Sequence, residues 1–116
     1  MHKLANIINA AYEMRLTLSP ETVDASTLAA IDEVVQALDA GRLRIAEKID
    51  GAWQTHAWLK KAVLLYFRTH ENVRFDAGFT QFYDKVPLKY ADYDESLFKQ
   101  SGVRVVPHAL IRKGAF

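Results

Sequence analysis

Cysteine is absent from the 116 residues. That excludes a disulfide framework, a thiolate zinc site and a cysteine nucleophile. An excess of one charge is also missing. Fifteen Lys and Arg stand against fourteen Asp and Glu, a net +1 with histidine neutral. So small a charge exerts little pull on a polyanion, and no nucleic-acid partner is expected. Long hydrophobic runs do not occur. The longest, Ala62 to Phe67, has six residues, against the roughly 20 a bilayer-spanning helix needs, so no membrane partner is expected either. Met1 to Ala11 mixes polar and apolar residues and carries Asn6 and Asn9. A secretion signal is therefore not expected, and the cytoplasm is the expected compartment. There is no glycine-rich phosphate loop, no Gly-x-Ser-x-Gly elbow and no defensible Ser/His/Asp order. The four histidines, His2, His56, His70 and His108, lack metal-ligand spacing, and no metal site is expected.

What remains is a chain able to fold. Half of it is hydrophobic and a quarter charged, which excludes global disorder. The length suits one domain that buries roughly two-thirds of its unfolded surface. Leu4, Ile7, Ile8, Ala11 and Met14 recur at helical spacing and predict a helix over about 3–15. Leu16 to Val23, with Ser19-Pro20, is a break. Leu28, Ile31, Val34, Val35 and Leu38 predict a second helix over about 25–40, capped by Asp24 or Ser26 and ended by Gly41. Arg42 to His56 reads as a hairpin about Asp50-Gly51, with Trp53 packing across it. A third helix starts at Thr55 or His56 and runs to about Arg68, marked by Trp58, Leu59, Ala62, Val63, Tyr66 and Phe67. Leu64 and Leu65 widen its apolar face, so it is expected to be the most buried helix, and Leu64→Asp is expected to unfold the domain.

His70 to Gln81 is polar and aperiodic and reads as a surface loop. Phe82 to Tyr90 contains Pro87 and reads as an edge strand or extended segment. Asp92 to Gln100 reads as a short helix, with Asp92 and Glu95 at capping-box spacing and Gly102 as the stop. Val103 to Pro107 is a β-branched run, hence a strand. From Val105 to Phe116 an aliphatic residue recurs six positions on, as in the opening hexads of a left-handed parallel β-helix.

Several strings are specific when taken together. One runs from Leu43 through Asp50-Gly51-Ala52-Trp53 to Leu65. The others are Phe82-Tyr83-Asp84-Lys85-Val86-Pro87-Leu88-Lys89-Tyr90, then Ala91-Asp92-Tyr93-Asp94-Glu95, then Gly102-Val103-Arg104-Val105-Val106-Pro107. In order and spacing they resemble the N-terminal domain of the tetrahydrodipicolinate N-succinyltransferases. His108 departs from the resemblance, because the family usually has a second proline there.

The resemblance implies an α+β fold: a small helical domain with a β-hairpin, leading into the first hexads of a left-handed parallel β-helix absent from this chain. Residues 1–102 would form the N-terminal α/β substrate-side domain, and 103–116 the start of the β-helix. It further implies a cytoplasmic homotrimer of the lysine and diaminopimelate route. That enzyme moves succinyl from succinyl-CoA, a co-substrate rather than a tightly held cofactor, to tetrahydrodipicolinate. The amine attacks the thioester directly, so neither a metal nor an acyl-enzyme is implied. The family's acyl-CoA groove and acidic catalytic candidate lie in the β-helix. No catalytic residue is therefore expected among these 116, and the chain alone is expected to be inactive.

Within this chain the resemblance assigns Arg104 to substrate binding. The chemistry agrees, since a guanidinium pairs two-pronged with a carboxylate as lysine cannot. Other residues read more simply as structural. His56 suits capping or packing. Trp53 and Trp58 suit hairpin and core packing. Lys60 and Lys61, like Arg112 and Lys113, suit a solvated face better than a phosphate contact. Asp92, Asp94 and Glu95 suit helix capping better than acid–base work, which needs burial. Asp84 and Lys85 have no role legible from sequence. A different class of reading is a stand-alone interaction module pairing a partner along an exposed strand, Val103 to Leu110.

Overall fold

A computed structural model describes residues 2–116. Three helices form the core: α1 (His2–Glu13), α2 (Ala25–Asp39) and α3 (Ala57–Thr69). All three pack pairwise. Ile8 and Ala11 of α1 meet Ile31, Val34 and Leu38 of α2 and Leu59, Ala62 and Leu65 of α3 in one buried cluster. A single 3₁₀ turn, Arg15–Thr17, opens the break between α1 and α2.

Asp24 rather than Ser26 caps α2. Its carboxylate accepts from the Thr27 N–H at 3.2 Å and from the Ser26 hydroxyl at 2.6 Å. At the other end Gly41 takes φ +74°. Gly41 N–H reaches Leu38 O and Arg42 N–H reaches Ala37 O, at 3.1 and 2.9 Å. This paired closure satisfies two orphan carbonyls of the helix.

The first hairpin joins β1 (Ala46–Ile49) to β2 (Ala52–Thr55). Asp50 and Gly51 both have positive φ, 50° and 81°, as a type I′ turn requires. Trp53 faces Lys48 across the ribbon but is 73% exposed. It does not enter the core, contrary to the core half of the sequence expectation. Trp58 does lie half-buried against the core.

On α3 the register matters. Leu65 is fully buried, whereas Leu64 is 43% exposed. One residue turns a helix by about 100°, which carries Leu64 off the packed face. The expectation that Leu64 is buried, and that Leu64→Asp unfolds the domain, is corrected accordingly.

Residues 70–81 are not simply a loop. β3 (Val73–Asp76) pairs antiparallel with β4 (Gln81–Asp84), with Phe75 opposite Phe82 and their rings 5.4 Å apart. Beyond β4, Pro87 O accepts from Lys113 N–H and Ile111 O from Lys89 N–H, at 2.9 and 2.8 Å, around a Leu88–Arg112 bridge. Pro87 contributes only its carbonyl, the one ladder group a proline has.

The short helix α4 (Glu95–Ser101) is capped by Asp94, whose carboxylate accepts from Leu97 N–H at 2.8 Å. The cap therefore falls two residues after Asp92. Gly102, at φ +72°, ends the helix as expected.

Val103 to Pro107 forms no strand. β-branched residues favour a pleated surface only where a neighbour strand completes it, and none lies alongside. A turn ends the stretch instead. Ala109 N–H donates to Val106 O at 3.0 Å, and His108 has φ +73°. With Pro107 at its second position this is a type II turn. Proline is locked near φ −65°, so a second proline could not occupy position 108 in this turn. His108→Pro should open it, and amide exchange at Ala109 should accelerate markedly. His108→Gly should leave that amide at least as protected.

The molecule is flat, 42 × 41 × 20 Å. Its radius of gyration, 16.0 Å, exceeds the ~13 Å typical of a compact chain this long. The helices hold the core, and both hairpins and the C-terminal stretch lie around its edge.

Candidate functional site

Arg104 lies just past α4. Gly102 and Ser101 reverse the chain there. Gly102 N–H and the Ser101 hydroxyl both donate to Phe98 O, at 3.1 and 2.9 Å, and Val103 N–H donates to the Ser101 hydroxyl at 3.2 Å. Tyr90 and Tyr93 cluster with Phe98 of the helix at tilted to edge-on angles, with ring centres 4.8 to 5.6 Å apart. These contacts fix the point from which Arg104 leaves. Its side chain is exposed and, among the described residues, has no ion pair or side-chain hydrogen bond. A guanidinium in that state keeps its full fork of donors for a carboxylate.

Immediately after Arg104 the chain lines an open groove of about 540 Å³. Val105, Val106, Pro107 and Leu110 face Phe79, Phe82 and Leu88 across it. His108 packs edge-to-face on Phe79 at 5.7 Å. The groove is largely apolar, and Arg104 immediately precedes its first lining residue in this stretch, Val105.

The other candidates are scattered. His56 stands at the cap position of α3 but makes no capping bond, and its Nε2 is 3.7 Å from Glu47. Asp92, Asp94 and Glu95 are all exposed, which removes the burial that acid–base work would need. Among the described residues no three His, Cys, Asp or Glu are placed to hold a metal ion.

Asp84 and Lys85 have structural work that sequence did not reveal. Lys85 donates its ammonium to Phe67 O, at the carbonyl-rich end of α3, where a cation is favoured. Tyr66 donates its hydroxyl to Lys85 O at 3.3 Å. Burial, with Asp32 nearby, pushes the Tyr66 phenol upward. Asp84 accepts from Arg112 at 3.0 Å. The Lys85 N–H and the Arg112 guanidinium outweigh desolvation and hold the Asp84 carboxyl below its ordinary value. Arg112 is thereby engaged within the domain, and it also lies over the Phe67 ring at 5.6 Å.

His70 is more enclosed than its loop setting suggested. Its ring stacks on Tyr66 at 3.7 Å, Nδ1 lies 3.0 Å from Tyr66 O, and Nε2 lies 3.1 Å from Asp32. Thirty-eight residues separate His70 from Asp32, so no local pattern could signal the pair.

A second long-range cluster ties down residues 112–116. Asp39 accepts from Lys89 Nζ at 2.9 Å and from Gly114 N–H at 2.8 Å, and Lys89 also donates to Asp39 O at 2.7 Å. Burial pushes the Asp39 carboxyl up, but Gly114 and Lys89 together hold it below the usual carboxylate value. The Phe116 ring lies so close to Gly41 that an added Cβ would meet it at 2.7 Å.

Residues 3–69 match the family model described as tetrahydrodipicolinate N-succinyltransferase N-terminal. This chain belongs to that family. Similar relatives carry the name 2,3,4,5-tetrahydropyridine-2,6-dicarboxylate N-succinyltransferase. The protein from Mannheimia succiniciproducens is 58% identical over 116 residues, all of this chain and 42% of its own length. That from Actinobacillus pleuropneumoniae is 58% identical over 113 residues, 97% of this chain and 41% of its own. That from Haemophilus influenzae is 56% identical over 116 residues. The chain thus spans about two-fifths of the length of the curated relatives it matches. Among the described residues, four α-helices and two small antiparallel hairpins give this chain an α+β architecture. No described helix is long and apolar enough to cross a membrane.

Proposed function

We propose that this chain is the N-terminal, substrate-side domain of an acyltransferase that moves succinyl from succinyl-CoA to tetrahydrodipicolinate in lysine and diaminopimelate biosynthesis. The observation that carries the reading is the close, full-chain similarity to relatives named for that activity. Arg104 supplies the binding chemistry. The substrate is a dicarboxylate, and an unpaired guanidinium on a fixed turn recognises one of its carboxylates. The transfer itself needs a positioned amine, a proton acceptor and a stabilised oxyanion at the thioester carbon. Those groups belong to the longer enzyme, a cytoplasmic homotrimer in this reading, and the 116 residues alone should transfer no succinyl. Exposed Val105, Val106, Leu110 and Phe79 offer apolar area for subunit contacts.

The test uses the complete enzyme. Arg104→Ala should raise KM for the dicarboxylate by roughly 10- to 100-fold, the worth of one charge-assisted hydrogen-bonded contact. KM for succinyl-CoA should stay within about twofold, since that binding does not use the contact. Equal losses for both substrates would take Arg104 off the substrate side. The rival reading, a stand-alone module that pairs a partner along 103–110, would require that stretch to leave the Val106–Ala109 turn it forms in this chain.

A further inference from the structure

A second cavity, of about 330 Å³, opens between the end of α1 and the exposed side of α3. Tyr12, Arg15, Leu64, Leu65, Phe67 and Arg68 line it. Its size falls within the ~300–1,000 Å³ common for small-molecule sites. Three features set it apart from ordinary solvated surface. First, Arg15 is held in place before any ligand arrives. Its guanidinium lies 4.2 Å from the centre of the Tyr12 ring and donates to Tyr12 O at 2.9 Å. Second, the cations there are uncompensated. Arg15 and Arg68 have no carboxylate within ion-pair distance among the described residues. Third, Leu64 presents apolar surface to the cavity while 43% exposed, although the helix could carry a polar residue there at little cost.

We infer that this cavity binds a phosphate monoester carrying a compact apolar body. Two guanidiniums from separate helical segments suit a tetrahedral dianion, to which each can donate two parallel hydrogen bonds. The exposed leucine suits the ester's apolar part. The inference is argued from this cavity alone and does not rest on the reaction proposed above.

Phenyl phosphate is the probe, followed by amide chemical shifts of Leu64 and Arg68 in the 116-residue chain. Saturable shifts are expected. Arg68→Gln, an exposed change that leaves the fold intact, should weaken binding at least about tenfold, the loss of one charge-assisted contact. Arg15→Gln should do the same, and its unperturbed spectrum elsewhere would exclude unfolding as the cause. Benzoate, a monoanion, and inorganic phosphate, which lacks the apolar body, should both bind more weakly than phenyl phosphate. Shifts that never saturate, or that survive both substitutions, would overturn the site. Equal binding of benzoate would overturn the dianion. Equal binding of inorganic phosphate would overturn the role of Leu64.

Discussion

Leu65→Asp is expected to abolish the cooperative thermal transition, while Leu64→Asp keeps it. Leu65 is fully buried in the cluster shared by α1, α2 and α3. A carboxylate there would lose its water with no cation or donor to replace it, and the leucine's packing would go as well. The combined cost is at least ~4 kcal/mol, close to the whole margin of a small domain, about 5–15 kcal/mol. Leu64 keeps contact with water, so aspartate there forfeits only partial burial and some helix propensity, about 1 kcal/mol. Circular dichroism melts of the two variants decide the matter. Similar losses would mean that the α3 register is wrong by one residue.

Asp39→Ala should produce the next largest loss. It leaves Lys89, whose side chain is 15% exposed, with the Asp39 backbone carbonyl but no counter-charge, and leaves the Gly114 N–H unpaired. Removing one member of a half-buried pair costs about 2–3 kcal/mol, mostly from the partner left behind. Residues 112–116 should loosen too, seen as faster amide exchange at Gly114. The effect depends on pH with a definite sign. The folded carboxyl titrates below its ordinary value of 3.8. Its ionic contribution is therefore complete above that value and fades as pH falls through the lower folded value. Wild type and Asp39→Ala should differ most near neutrality and converge in acid. Asp24 acts in the same direction, because hydrogen bonds from Ser26 and Thr27 hold its carboxyl at about 2. A gap between the two proteins that widened in acid would contradict this account.

What could be read from sequence was set by distance along the chain. The stripes of α1 and α2, the Asp50-Gly51 turn and the Gly41 and Gly102 stops are local signals, and each is where the residues placed it. Leu64 was ambiguous because a widened apolar face does not say which of two adjacent leucines points inward. The β3–β4 hairpin escaped notice because its connection, Ala77–Thr80, lacks a two-residue turn signal and its strands are mostly exposed. Only the Phe75–Phe82 pair gives it an apolar side. Val103 to Pro107 has the composition of a strand, but composition cannot supply a neighbour. Arg104 is singled out as a candidate only by its surrounding string, since an exposed arginine carries no signal of its own. Arg15 with Arg68, Asp32 with His70, and Asp39 with Gly114 are joined only by the fold.

The Asp39–Gly114 hydrogen bond also determines how the domain carries a pull. Seventy-five positions separate the two residues. Tension applied at Phe116 crosses this tie into the end of α2 before it can run along the backbone. Both hairpins, α3, α4 and the stretch from 103 to 113 then lie off the direct path from Phe116 to α2. While the tie holds, the C-terminal end hangs directly from α2, with Lys89 bracing the anchor. If it gives way, strain passes next to the Lys113–Pro87 pair and reaches the Arg104 turn only afterwards.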